Sequence, residues 1–474
     1  MTAPNHNPPP LDPISTDYVR LAFRMEPHID GLIDAYSGPV DIRDAARAEP
    51  ATPADLVRDA DALLERIAIE DLALSRVDYL TAQVSALATL VRKLTGEEIA
   101  YADEVRQLFD IEAERVPDDA YAAAIAALDE ALPGAGLVPE RLQRWKRQFE
   151  IPVDGAKIAI DRIMNEVRSR TSRLAALPDD ESVEITFVSD KPWSGYNWYL
   201  GNARSLVEVN TDLPIRANAL LNLMAHEGYP GHHTEHALKE IRLYHERGYG
   251  EHAIQLINTP ECVISEGVAT LAESMIFAEG ENARWQAEHV WRPLGIDADP
   301  EREARIVEAQ WTLRSVEANA ALLMHQEGRP EADVMRYLME YGLATEEEAR
   351  HRLRFIADPL WRPYIFTYHV GRDLLGQWLD AAATNGETQA SRFVRLLEEQ
   401  LTPGAIASDL EEPSEGTTSV SSRLSPASNR IRNPRLAALP IGGVLIAPEK
   451  THVGDLIGRI DDPSIDSDNH ITKE

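Results

Sequence analysis

Apolar and polar positions along the chain follow two different periods. "ADLVRDADALLERIAIEDLALSRVDYLTAQVSALATLVRKL" (54–94) sets Leu, Ile and Val three and four residues apart with acids and arginines between them. That is the pattern of one long amphipathic helix. "VDGAKIAIDRIMNEVRSRTSRLAAL" (153–177) repeats it, and from about 15 to 176 the sequence reads as helix after helix. The period then shortens. "SVEITFVSD" (182–190) and "SGYNWYLGNARSLVEVN" (194–210) are rich in β-branched and aromatic residues, with Gly201-Asn202 marking a turn between two strands. "TDLPIRANALLNLMAHE" (211–227) returns to helix, with Thr211 or Asp212 as cap and Pro214 in the first turn. Helical patterning resumes at roughly 261–279, 298–327, 330–342, 345–355, 368–382 and 387–401.

The fold class expected from this order is mainly α with a small β-sheet (α+β). Residues 1–13 are proline-rich and expected to be disordered. A helical N-terminal region (14–177) and a second region carrying the strands (178–405) follow. Residues 406–474 read as a linker and tail, Ser/Pro/Thr-rich over 411–434, with one apolar run at 436–449. A chain of 474 residues is long enough for two or three sub-domains.

Charge narrows the partners. The net charge is −32, and of the 47 basic residues 7 are Lys and 40 Arg. Such a surface cannot neutralise phosphates broadly, so nucleic acid is not an expected partner. No window reaches about 18 uninterrupted apolar residues, so no membrane span is expected. The single cysteine, Cys262, excludes an internal disulfide framework and fits a reducing compartment. "MTAPNHNPPPLDP" lacks a basic and then apolar leader pattern, and the expected location is cytoplasmic.

Candidate chemistry concentrates in "AHEGYPGHHTEH" (225–236). On an unbroken helix His232 would point away from His226, and His233 would lie about 10 Å further along the axis. Zinc–nitrogen bonds of about 2.0–2.1 Å could not bridge either arrangement. Pro230 removes a donor and Gly231 frees the backbone, so a break here could bring His232 or His233 beside His226; His232, the first side chain after the turn, needs the smaller excursion and is the expected ligand, with His233 as the alternative. "CVISEGVATLAES" (262–274) offers Glu266 as a third ligand, with Glu273 two turns later as an outer partner. Glu227 would take the proton of a water on the metal. Tyr368, ahead of Tyr364 and His369, is the candidate oxyanion donor, and Arg372 one turn on could hold a substrate carboxylate. The hairpin could pair with an extended substrate through its strand edge.

"HEGYPGHH" (226–233) resembles the H-E-x-x-P-G-H-H signature of the DUF885 proteins, bacterial relatives of the gluzincin metallopeptidases. "SEGVATLAE" (265–273) is similar to that family's E-G-W-A-x-Y-x-E segment, with Val268 and Leu271 in place of the Trp and Tyr. Tyr368 and Gly371 fall in register with its late Y-x-x-G segment. The resemblance spans roughly 180–400. It implies a zincin-like helical metallopeptidase with Zn2+ as cofactor and a peptide or small amide as substrate. His226 and Glu266 would bind metal and Glu227 would be the base. His232 and His233 would both belong to the site, one as second histidine ligand and the other facing substrate. The rival expectations are a metal-dependent amidohydrolase acting on a non-peptide small molecule and a non-catalytic helical scaffold. The oligomeric state is not legible.

Overall fold

The computed structural model describes residues 8–191, 193–212 and 214–411. Residues 1–7 and 412–474 lie outside the described residues, and with them all but the first residue of the expected Ser/Pro/Thr-rich stretch 411–434 and the apolar run 436–449. Within them the protein is mainly helical with a small β component.

The pattern over 54–94 is two helices, not one: Pro53–Ile69 and Leu74–Leu94. A capping box between Thr52 and Asp55 starts the first, and Glu70 leaves the helical region at φ −74° and ψ 149°. One continuous helix of that length would run about 60 Å, far beyond a core able to cover its apolar stripe. Turned back, the pair pack together and bury Leu56, Leu63 and Ile67 as well as Leu80, Val84 and Leu87. The span 298–327 is likewise broken into Pro300–Thr312, a 3-10 turn at Leu313–Ser315, Val316–Ala321 and a π turn at Leu322–Gln326.

The expected hairpin is β3 of a three-stranded sheet (Gly195–Gly201) turning into β4 (Arg204–Asn210). β2 (Ser182–Val188) pairs parallel to β4, giving the order β2-β4-β3. β1 (Ile33–Tyr36), which the periodicity did not reveal, pairs antiparallel with β5 (Ile254–Leu256). Four residues are too few for an alternation to stand out.

Helix after β4 begins at Leu220, not at 211. The cap-type residues serve the strand end instead: Thr211 donates through N and Oγ1 to the Val188 carbonyl at 2.8 and 2.9 Å.

One buried apolar cluster runs from Ile14 to Phe366, so the N-terminal helices and the later region share a core. Two expectations for the ends change. The chain is held from residue 8: Tyr244 Oη donates to the Pro9 carbonyl at 2.6 Å, and Asp12 caps the helix Pro13–Met25. At the other end Pro403–Glu411 is helical across the expected linker start at 406, and Ile406 is buried beside Trp378 and Phe393. Among the described residues no helix is long and apolar enough to cross a membrane.

Candidate metal centre

His226 and Glu227 close the helix Leu220–Glu227, and His232 opens the helix His232–Lys239. Two glycines make the break. Gly228 ends the first helix at φ −109° and ψ −101°, and Gly231 precedes the second at φ −76° and ψ −138°. A Cβ on Gly231 would stand 1.9 Å from the His226 carbonyl oxygen and 2.5 Å from that of Ala225, so no side chain fits there. The result is the approach anticipated from the motif: the His226 and His232 rings lie 4.7 Å apart and perpendicular.

Glu266 arrives from the helix Pro260–Ile276. Its Oε2 lies 3.5 Å from His226 Nε2 and 3.9 Å from His232 Nε2. The three residues offer ligand atoms all within 4.8 Å of one another. A tetrahedron of zinc bonds has edges of about 3.3 Å, so small movements would close the triad around an ion. Glu266 Oε2 is buried and has no hydrogen-bond partner among the described residues. An orphaned carboxylate oxygen between two imidazole nitrogens is costly unless something positive occupies that point. Burial and the Arg314 charge push His226 down to about 3. Burial and His226 push His232 down to about 4. Both rings are therefore neutral, the form that carries a free lone pair for a metal. The donor set fits zinc.

The three side chains are held from behind. Glu266 Oε1 accepts from Tyr364 Oη at 2.9 Å. His232 Nδ1 lies 3.0 Å from Ser265 Oγ, which donates to Glu235 Oε2 at 2.5 Å, and Glu235 Oε1 accepts from Lys239 at 2.7 Å. This chain from imidazole to carboxylate fixes the ring so that Nε2 faces the triad. Glu273 accepts from Asn222 at 3.0 Å and Asn282 at 2.9 Å. Asn222 lies one turn before His226, so Glu273 steadies the His226 helix through Asn222 and Asn282.

Glu227 is buried next to the triad without belonging to it. Burial, then the charges of Glu266 and Asp34, hold its carboxyl well above the ordinary range. Its carbonyl accepts from Asn197 Nδ2 of β3 at 2.5 Å, tying the strand to the helix end. Asp34, from β1, accepts from Tyr196 Oη, and burial pushes it up to about 6.

His233 departs from both roles expected of it. It is wholly buried, with Nδ1 2.9 Å from Ser205 Oγ and Nε2 3.0 Å from Glu181 Oε2. One residue past His232 on a helix is a rotation of about 100°, which turns it from the triad into the sheet. It lies outside the His226–His232–Glu266 cluster and lines neither of the two cavities described below.

Tyr368 belongs to the helix Ile365–Asp380, which crosses the Glu266 helix where two glycines meet. A Cβ on Gly267 would lie 2.9 Å from the Gly371 carbonyl, and one on Gly371 2.6 Å from the Val263 carbonyl. The close crossing brings Tyr364 onto Glu266. Tyr368 Oη is buried without a hydrogen-bond partner among the described residues. His226, Glu227, Tyr368 and His369 line a cavity of about 680 Å³, with Ser194 and Gly195 of the β3 edge on its wall. A smaller cavity of about 100 Å³ is lined by Asp34, Glu227, His232, His236 and Glu266. Arg372 is buried with its guanidinium 4.0 Å over the Trp311 ring and 3.4 Å from Asp373, and it is Trp311 and Arg314 that line the larger cavity.

Asp34, Asn197 and Arg314 escaped the sequence reading: each is an ordinary polar residue in its local pattern that only the tertiary fold brings to the site. Ser265 and Glu235 lie within the quoted segments, but nothing in their spacing assigns them the contact with His232.

No family model and no curated protein matches the chain. Its fold has some likeness to a "putative lipoprotein" from Colwellia psychrerythraea, at 16% identity and a TM-score of 0.47 over 85% of this chain and 77% of that one. A "putative lipoprotein of unknown function" from Shewanella oneidensis compares at 14% identity and 0.45, over 85% of this chain and 83% of that one.

Proposed function

We propose that the protein is a zinc-dependent hydrolase of the metallopeptidase type, cleaving peptide bonds. The observation that carries this reading is the convergence of His226, His232 and Glu266 with an unpartnered Glu266 Oε2 at their centre and Glu227 alongside. The resemblance of 226–233 and 265–273 to the DUF885 segments supports a zincin-like assignment. When bound, zinc would acidify a water and polarise the scissile carbonyl.

The chain's own residues supply the rest. Glu227 accepts the proton of the attacking water and returns it to the leaving amine. Tyr368 Oη, on the wall of the larger cavity, donates to the carbonyl oxygen as negative charge builds there. The β3 edge, reaching the same cavity at Ser194 and Gly195, offers main-chain groups to an extended substrate. Glu227→Gln should keep zinc bound and lower peptide hydrolysis about 10²- to 10⁴-fold. Loss of zinc together with activity would show that Glu227 is a ligand and not the base.

A further inference from the structure

We infer that the smaller cavity is a subsite for one terminal residue with a free amine, its ammonium received by Asp34 and Asn197, so that the protein removes residues from the N-terminus of peptides. The inference deepens the hydrolase reading and rests on it for the reaction, but the amine binding stands or falls separately.

The two cavities meet at the base. His226 and Tyr368 line the larger, His232 and Glu266 the smaller, and Glu227 lines both. Strand β3 runs from one to the other: Ser194 and Gly195 line the larger, Tyr196 and Asn197 the smaller. A substrate extended along that edge passes Glu227 with one end in each cavity. The two ends have unequal room. The larger cavity, about 680 Å³, has the size of an ordinary ligand cleft. The smaller, about 100 Å³, has room for about three waters at about 30 Å³ each, and so for one small residue.

The lining of the smaller cavity selects a cation. Asp34, Glu227, Glu261 and Glu266 all contribute to it. The one Lys or Arg among its lining residues, Lys239, is shared between Glu235 and Glu261. Burial lowers His232, His236 and His252, so these rings are neutral at pH 7. Burial first, then Glu266 and Asp34, raises the Glu227 carboxyl; burial and Glu266 raise that of Asp34 against the opposing Tyr196 hydrogen bond. These three carboxyls are thus near enough to repel one another. Glu266 belongs to the triad and Glu227 to proton transfer, while Asp34 accepts from a neutral donor, Tyr196 Oη, which does not offset its charge.

Asn197 is an independent sign of a ligand. It is only 8% exposed, its Nδ2 is committed to the Glu227 carbonyl, and its Oδ1 is buried with no partner among the described residues. An orphaned acceptor and a carboxylate on one small cavity suit an ammonium, which has three donors and no acceptor. The orphaned donors Gln83 Nε2 and Trp361 Nε1 on the same lining suit a polar side chain rather than a long apolar one. Attack of water on the first carbonyl would break the first peptide bond, releasing that residue with a new carboxylate and the shortened peptide with a new amine.

Calorimetry on the zinc-loaded full chain carrying Glu227→Gln, so that no probe is consumed, compares three ligands: Ala-Ala-Ala amide, lactoyl-Ala-Ala amide and acetyl-Ala-Ala-Ala amide. The lactoyl probe replaces the terminal amine by a hydroxyl of the same size. The free amine should bind about ten-fold or more tightly than the lactoyl probe, as one charge-assisted contact requires, and the longer acetyl probe should bind no better than the lactoyl one. Adding Asp34→Asn, which keeps an acceptor for Tyr196, should remove the amine preference with zinc content unchanged. The native protein should release single residues from free N-termini and leave acetylated peptides intact. An amine preference that depends on Asp34, without any hydrolysis, would retain the amine site and remove the peptidase reading. Cleavage of acetylated peptides as fast as free ones would overturn the terminal assignment. Equal binding of the amine and lactoyl probes, read without touching Asp34, or a preference that survives Asp34→Asn, would overturn the site whatever hydrolysis shows.

Discussion

Between Glu227 and His232 the chain breaks one helix into two, whereas the helices carrying Glu266 and Tyr368 run unbroken and cross. Both arrangements depend on a missing Cβ, but in different ways. At Gly231 it lets the backbone fold over the His226 carbonyl, and at Gly267 and Gly371 it lets two helix backbones touch. The first places His226 and His232 relative to each other within seven residues. The second sets the distance between Glu266 and the tyrosines that approach it across about a hundred residues. The local device should therefore be brittle and the distant one graded, since packed helices can slide while a blocked backbone turn cannot.

Gly231→Ala should have the largest effect. With 1.9 Å between the new Cβ and the His226 oxygen, the turn must open and His232 must leave His226. Zinc affinity should fall by more than about 100-fold, the upper range for removing even a supporting partner. Competition with a chelator measures this, and unchanged affinity would mean that the histidines meet by some other route. Gly371→Ala should do less. Its Cβ meets the Val263 carbonyl at 2.6 Å, which pushes two helices apart but leaves both histidines in place. Affinity should fall about 10- to 100-fold, with a stability loss of about 1–3 kcal/mol in denaturant titration. An effect as large as that of Gly231→Ala would erase the distinction.

The same contrast explains what the sequence could disclose. The Pro230-Gly231 insertion lies in one continuous stretch, so the need for a break, and the two histidines competing to fill it, could be read directly. That His232 joins the triad while His233 turns away depends on Ser205 of β4 and on Glu181, just before β2, and no spacing within 225–236 encodes those contacts. Glu266 was legible as an acid on a second helix, but Tyr364 as its partner was not, because the Gly267–Gly371 crossing is long-range. The helices were legible as elements, while the break at Glu70 and the late start at Leu220 were not. In both places local pattern yielded to the demands of packing and of the strand end. Asp34 reaches the site from a four-residue strand too short to have a period.

A smaller effect sharpens the comparison from outside the site. Glu303 is a buried carboxyl that accepts from Trp145 Nε1 at 2.5 Å, and burial pushes it up to about 7. Between the ordinary value of 4.5 and about 7 the folded protein holds a proton that the unfolded chain has released. The stability Glu303 contributes is thus full below that window and lost as pH rises through it. Glu303→Gln keeps an acceptor for Trp145 and removes the titration. The thermal midpoint of the variant minus that of the native protein should rise from pH 5 to pH 8, with zinc affinity unaltered. A difference independent of pH would mean the carboxyl is not held protonated.

The central claim is that one of two adjacent histidines holds the metal while its neighbour holds the fold. Zinc content of untagged full-length protein, measured in His232→Gln and His233→Gln beside the native chain, tests it most directly. The account expects one zinc per chain in the native protein and in His233→Gln, the latter less stable by about 1–3 kcal/mol for its disturbed contacts with Ser205 and Glu181. His232→Gln should fold normally and carry little zinc. Equal zinc in both variants, or loss from His233→Gln alone, would contradict the triad.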